Sequence, residues 1–253
     1  MKFFIKVITF FIVVSLNVAH GAIINDSTIV VLANWKKHES QIYKYSQYNY
    51  KVCGTDTIDK SKFSRDFIVE VDDSTQHLYS LKYSRCALPS SGDSIVLDEF
   101  PLQLMTNHSG GLIKVLNWES YLAWRNNDVE RTSDDLMPFA AMLSFNGKRL
   151  KVNYEYSGTQ IVDGCEVGLN DSVMSMSKMT ITQDFKQDGA YEIITINTMT
   201  TYSNIIDGSP IPVYDKFTQV VDSENGWTLA TYLIRCRKDE NGENVESWTI
   251  KLL

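Results

Sequence analysis

The sequence predicts a mainly β protein, an antiparallel meander forming a curved sheet or partly open half-barrel with one or two short helices packed against it. Three observations carry this. First, from about Met174 to Leu252 extended runs rich in Thr, Ile, Val, Tyr and Trp are separated by the turn signals Asp188-Gly189, Asn225-Gly226 and Asn241-Gly242. Such pairs suit tight hairpins, whose central residues need positive φ. Second, the strands carry faces. Trp227, Leu229, Thr231 and Leu233 fall on one side, Tyr232, Ile234 and Cys236 on the other, and Trp248, Ile250 and Leu252 repeat the period of two. Both faces of the first of these runs are apolar, which asks for cover on each side or a closed barrel. Third, the apolar phase slips by one between Tyr43/Tyr45 and Tyr48/Tyr50/Val52, and again between Met174/Met176 and Met179/Ile181. A slip of this kind is what a β-bulge produces while keeping one face inward.

Taken in order, the chain opens on a secretory signal: Lys2 and Lys6, an apolar core from Val7 to Leu16, and a small-residue cleavage site at Ala19-His20-Gly21 before Ala22. Residues 22–253 then read as one β-rich domain. Ile29 to Ala33 fits an edge strand or a short helix. Phe67, Val69 and Val71 face Tyr79, Leu81 and Tyr83 across the polar turn Asp72-Asp73-Ser74-Thr75, a hairpin. Short extended runs follow at Ile95 to Leu97, Phe100 to Met105 and Leu112 to Leu116.

Asn117 is placed as an N-cap for a helix over 118–126, with Trp118, Tyr121 and Leu122 at helical spacing and Glu119 near its positive end. The polar section 125–135 reads as a connection and a point of subdivision. Asp135 is placed to cap a second helix over Leu136 to Leu143, with Pro138 in its first turn. Leu150, Val152, Tyr154 and Tyr156 alternate cleanly and begin the C-terminal meander. Pro210 and Pro212 mark a loop between strands.

Charge and cysteine content bound the function. The chain carries a net charge of -7, and loss of residues 1–21 removes two lysines, leaving 22 basic against 31 acidic groups and a net charge of -9. An acidic chain without Lys/Arg clusters is a poor match for nucleic acid or anionic membrane surfaces. No other apolar run approaches spanning length, and the first cysteine, Cys53, lies too far from the signal for lipoprotein processing. An even set of Cys53, Cys86, Cys165 and Cys236 in an exported protein reads as two disulfides, with proximity favouring Cys53 with Cys86 and Cys165 with Cys236.

Catalytic and metal motifs are not evident. His38, His77 and His108 show no ligand spacing, Asp72-Asp73 and Asp134-Asp135 complete no calcium loop, and no P-loop, dinucleotide fingerprint or nucleophile elbow occurs. His108-Ser109-Gly110-Gly111 reads as a plain turn. Asp163 and Glu166 beside Cys165 oppose thiolate formation.

What stands out is aromatic residues on strand faces, among them Tyr48 and Tyr50, with Trp118, Tyr121 and Leu122 on the first helix. On a concave face these would suit an acyl chain or a sugar ring. The expectation is therefore an exported, non-catalytic binding or scaffold protein of the cell envelope, periplasmic or extracellular, holding an apolar or amphipathic ligand such as a lipid. A carbohydrate-binding or adhesive module is the alternative and a hydrolase the third choice.

Overall fold

A computed structural model describes residues 23–25, 28–87, 96–97, 100–151, 155–162, 173–185, 192–206, 209–239 and 242–253. In chain order the strands are β1 (Ile23–Asn25), β2 (Thr28–Val30), β3 (Ser40–Cys53), β4 (Asp56–Ser74), β5 (Leu78–Ala87), β6 (Val96–Leu97), β7 (Leu102–Asn107) and β8 (Leu112–Val115). The helices α1 (Trp118–Trp124) and α2 (Val129–Met142) follow, then β9 (Arg149–Lys151), β10 (Glu155–Val162), β11 (Val173–Phe185), β12 (Glu192–Ile206), β13 (Ser209–Asp222), β14 (Thr228–Asp239) and β15 (Gly242–Leu252).

One twelve-stranded antiparallel sheet dominates, in the order β10-β11-β12-β13-β14-β15-β3-β4-β5-β7-β8 with β6 beside β5; β1, β2 and β9 form a small second sheet. The sheet is curved and not closed. The last strand joins its two halves, because β15 pairs with β3 over ten residues without a slip. The helices pack on one face, called inner below. Tyr43, Tyr45, Phe67, Val69, Leu81, Tyr83, Leu233, Trp248 and Ile250 project from the sheet into one cluster with Tyr121, Phe139 and Met142 of the helices. Alternation in β4 and β5 produces this directly, since residues two apart share a face.

One end of this core is closed by residues 31–39. Trp35 stacks on Trp227 with ring centroids 4.5 Å apart, and Trp227 Nε1 donates to Glu39 Oε1 at 2.8 Å. Gly226 (φ +74°) sits where a Cβ would fall 2.1 Å from the Leu32 carbonyl oxygen, so only glycine lets this crossing pass. The run from Ile29 to Ala33, open between edge strand and helix in the sequence, is a short strand paired on both sides at the centre of the small sheet, and it leads into a strap whose Val31, Ala33 and Trp35 are buried.

Several expectations are corrected. β3 stays in continuous register with β15, so Tyr48 and Tyr50 emerge on the outer face, opposite Tyr43 and Tyr45. The extra residue lies instead across the way in β4, at Asp59 (φ 51°). β11 pairs without a shift on both sides, so no bulge occurs at Ser177-Lys178. The outer face of β14 is uncovered, with Tyr232 and Ile234 exposed. Of the run from Leu150 to Tyr156, Leu150 lies in β9 of the small sheet and Tyr156 in β10 of the large one, while Val152 and Tyr154 lie outside the described residues.

No two of the described cysteines stand at disulfide distance. Cys53 pairs with Asp56 at one end of β4, whereas Cys86 pairs with Asp66, ten residues along the same strand. At about 3.3 Å per residue that separation is far beyond disulfide reach. Cys165 and the Asp188-Gly189 turn lie outside the described residues. The Asn225-Gly226 turn is a five-residue connection from 223 to 227 rather than a two-residue one. The last hairpin sets Asp239 opposite Gly242, with 240 and 241, outside the described residues, between them.

The first helix starts where expected but is tied down differently, and the second starts elsewhere. Asn117 is the N-cap residue of α1 as expected, but its side chain does not bond the first turn; its Oδ1 accepts from Gln103 N at 2.8 Å and its Nδ2 donates to the Pro101 carbonyl, tying the helix to β7. α2 begins seven residues earlier than Leu136, because Asp128 is its N-cap and accepts from Arg131 N at 2.9 Å. Residues 129–135, read as connection, are its first turns, and Pro138 is interior. At the other end, the Met142 carbonyl accepts from Thr228 Oγ1 at 2.6 Å and from Gln219 Nε2, so strands β13 and β14 cap the helix.

Two outcomes are expected. Thr228→Val, which leaves the buried Met142 carbonyl with one donor fewer, lowers stability by about 1–3 kcal/mol in urea unfolding. Non-reducing peptide mapping of the protein finds no Cys53–Cys86 cross-link.

Candidate functional site

The sheet is longer than the helices that cover it. In β4, residues 56–64 are exposed, and buried positions begin only at Phe67, Val69 and Val71. Across the uncovered part the inner face becomes polar, with Gln47, Asn49, Arg235, Arg237, Asn244 and Glu246 lining a cleft of about 350 Å³. A second cleft of about 350 Å³ shares Gln47 and Glu246 and runs up against α2 through Tyr45, Phe63, Arg65, Arg85, Arg125, Arg131, Asp134, Asp135 and Met137. Together they form one trough on the inner face, ending at the helix.

The head of the trough is built around Asp135, which is 1% exposed. Arg65 Nη1 donates to Asp135 Oδ1 at 2.8 Å; Arg85 Nη2 and the Tyr121 hydroxyl donate to Oδ2 at 3.2 and 3.1 Å. Arg125 Nη2 lies 2.9 Å from Oδ2 but off the hydrogen-bond direction, so it contributes charge rather than an aligned bond. These groups come from β4, β5, α1 and the loop after it, and all converge on one carboxylate of α2.

Arg65 lies over two rings, with its guanidinium carbon 5.3 Å from the Tyr45 ring centroid and 5.7 Å from that of Phe63. Its Nη2 donates to the Asp134 carbonyl at 2.9 Å. That acceptor exists because Pro138, four residues on, has no amide hydrogen to fill it. Arg125 is placed by the left-handed pair Asn126 and Asn127 (φ 60° and 58°), which end α1, and it lies over the Trp124 ring at 5.3 Å.

Burial pushes the Tyr121 and Tyr45 hydroxyls up to about 12. Asp135 adds to this for Tyr121, while Arg65 works against it for Tyr45. Burial likewise raises Tyr43 and Tyr83 far above the ordinary phenol range. Neutral phenols are thus built into the wall beside the arginines.

The sequence singled out other residues. Tyr121 is buried and committed to Asp135, Phe100 and Trp124, while Trp118 and Leu122 are half-buried on the same helix. Tyr48 and Tyr50 lie together on the outer face, ring centroids 5.1 Å apart and inclined by 35°, beside Thr57, Lys60, Ile234, Val245 and Ser247. The five residues therefore divide between two faces of the sheet and do not form one site.

The residues that do converge, Arg65, Arg85, Arg125 and Asp135, were missed. Their signal was present: Arg65 continues the inward series Phe67, Val69, Val71, and Arg85 continues Leu81, Tyr83. An arginine at an inward position needs a buried acid. Among the described residues, no group of three or more His, Cys, Asp and Glu side chains is arranged to hold a metal, and no helix is long and apolar enough to cross a membrane. His108 is exposed on its turn and Ser109 is buried, with its amide bound to Asn107 Oδ1 at 2.9 Å.

Asp135→Asn removes one charge from a buried set and leaves three guanidinium groups uncompensated. Equilibrium unfolding is expected to show a loss of about 3–5 kcal/mol. The tyrosines set a second outcome. Because the folded pKa of Tyr121 and Tyr45 is raised from 10 to about 12, the unfolded chain loses those protons first. Stability is unaffected below about pH 10 and falls as pH rises from there towards 12. Absorbance at 295 nm will show these phenols ionising with unfolding rather than before it. No family model matches the chain, and no curated protein matches it.

Proposed function

We propose that the protein is an exported, non-catalytic binding protein of the cell envelope, holding an amphipathic ligand in the trough on the inner face of its curved sheet. The observation that carries this reading is the lining at the head of the trough. There Tyr45, Phe63 and Met137 lie beside four arginines at a site of pocket size, at the border between covered and uncovered sheet. An apolar body and a polar head would each meet matching surface. The secretory signal read in residues 1–21 supports the compartment.

A carbohydrate-binding module is the second reading, favoured by Tyr48 and Tyr50 on the outer face with Lys60, Thr57 and Ser247 around them. Their rings are inclined by 35°, so a flat sugar would stack fully on one ring at a time.

Native mass spectrometry of the mature protein isolated from its own envelope, followed by solvent extraction, tests the choice. A reproducible lipid-sized adduct that Phe63→Ala diminishes and Tyr48→Ala leaves intact is the expected result. An empty protein that stays empty with envelope lipids, and instead binds glycans through Tyr48 and Tyr50, would replace the first reading with the second.

A further inference from the structure

We infer that the ligand's head is a singly charged oxyanion, held by the guanidinium groups at the head of the trough with Asp135 as their built-in counter-ion. This rests on the reading that the trough takes an amphiphile, and it names the charge and chemistry of its polar end.

The charge count comes first. The cleft against α2 is lined by four arginines and by Asp134, Asp135 and Glu246, an excess of one positive charge. That excess sits in a protein whose net charge is -7, so it is a local feature and not a general affinity for anions. Donor capacity points the same way. Asp135 has two oxygens, and they already take Arg65, Arg85 and Tyr121. Arg125 Nε and Nη2 and Arg65 Nε are buried without a hydrogen-bond acceptor. A buried guanidinium N–H with no acceptor is costly, and an oxyanion is the acceptor that best matches its geometry.

Arg131 extends the set to the surface. Its backbone amide is used in the α2 cap, while its side chain lines the cleft and forms no ion pair among the described residues. The groups are also held in place. Arg65 lies against two rings and Arg125 against one, so little side-chain freedom remains to be lost on binding. Tyr45 and Phe63, which hold Arg65, also supply the apolar surface next to the head.

The experiment compares dodecanoate, dodecanol and acetate as probes, each below its aggregation limit, by titration calorimetry at pH 8 and low salt. Dodecanoate is expected to bind at least about tenfold more tightly than dodecanol, with the gap narrowing as salt is raised. Acetate is expected to bind weakly, the head lacking its tail. R131Q, at an exposed position, and R125Q should each weaken dodecanoate binding by roughly five- to tenfold and leave dodecanol unchanged. Lys216→Gln, on an exposed position of β13 away from the trough, should change neither, and thermal midpoints identify any variant that fails to fold.

Equal affinity for dodecanol and dodecanoate, or dodecanoate binding untouched in both arginine variants, would overturn the anionic head while keeping the amphiphile reading. Failure of every amphiphile to bind the wild-type protein would overturn that reading itself.

Discussion

The structure hinges on burying one carboxylate. Asp135 is withdrawn from water on α2, and the free-energy cost of that withdrawal is offset only if cations reach it. They come from three separate places in the chain: β4, β5 and the loop after α1. Apolar packing alone would let α2 slide or rotate on the sheet, because burial is non-directional. Charged hydrogen bonds to both oxygens fix its position and its rotation together. Arg65 lies over rings of the sheet and Arg125 over Trp124 of α1, so aromatic core and ionic tie are one assembly.

The same tie lies at the border where covered sheet gives way to open sheet. On one side Phe139 and Met142 fill the space beneath α2. On the other, β14, β15, β3 and β4 continue with polar residues facing inward. Ionic groups suit such a border because they can serve a dry core and a wet trough at once. An all-apolar border would end the core without offering the trough any specific contact.

Much of the fold could be read from side-chain alternation. The β4–β5 hairpin and the C-terminal strands were legible because inward apolar residues recur every second position, the signature that burial imposes on a pleated strand. The start of α2 was not. Asp128 and Asp135 are both suitable cap residues, and Glu130, Arg131, Ser133 and Asp134 resemble linker. What separates the two is the tertiary demand for Asp135, which no local pattern records. The phase slips misled for a related reason. At Tyr48 the strand stays regular and its aromatic residues turn outward, while the irregularity is taken up by Asp59 on the neighbouring strand. The site was hidden because its members lie as far apart as residues 65 and 135.

Pro138 has a consequence for how this helix tolerates change. Arg65 docks on the main-chain oxygen of residue 134, not on its side chain. The identity of residue 134 is therefore immaterial to that contact. Residue 138 governs it, since any other amino acid there brings an amide that competes for the same oxygen. In a randomised helix, the information that keeps Arg65 in place would reside one turn away from the atom it touches.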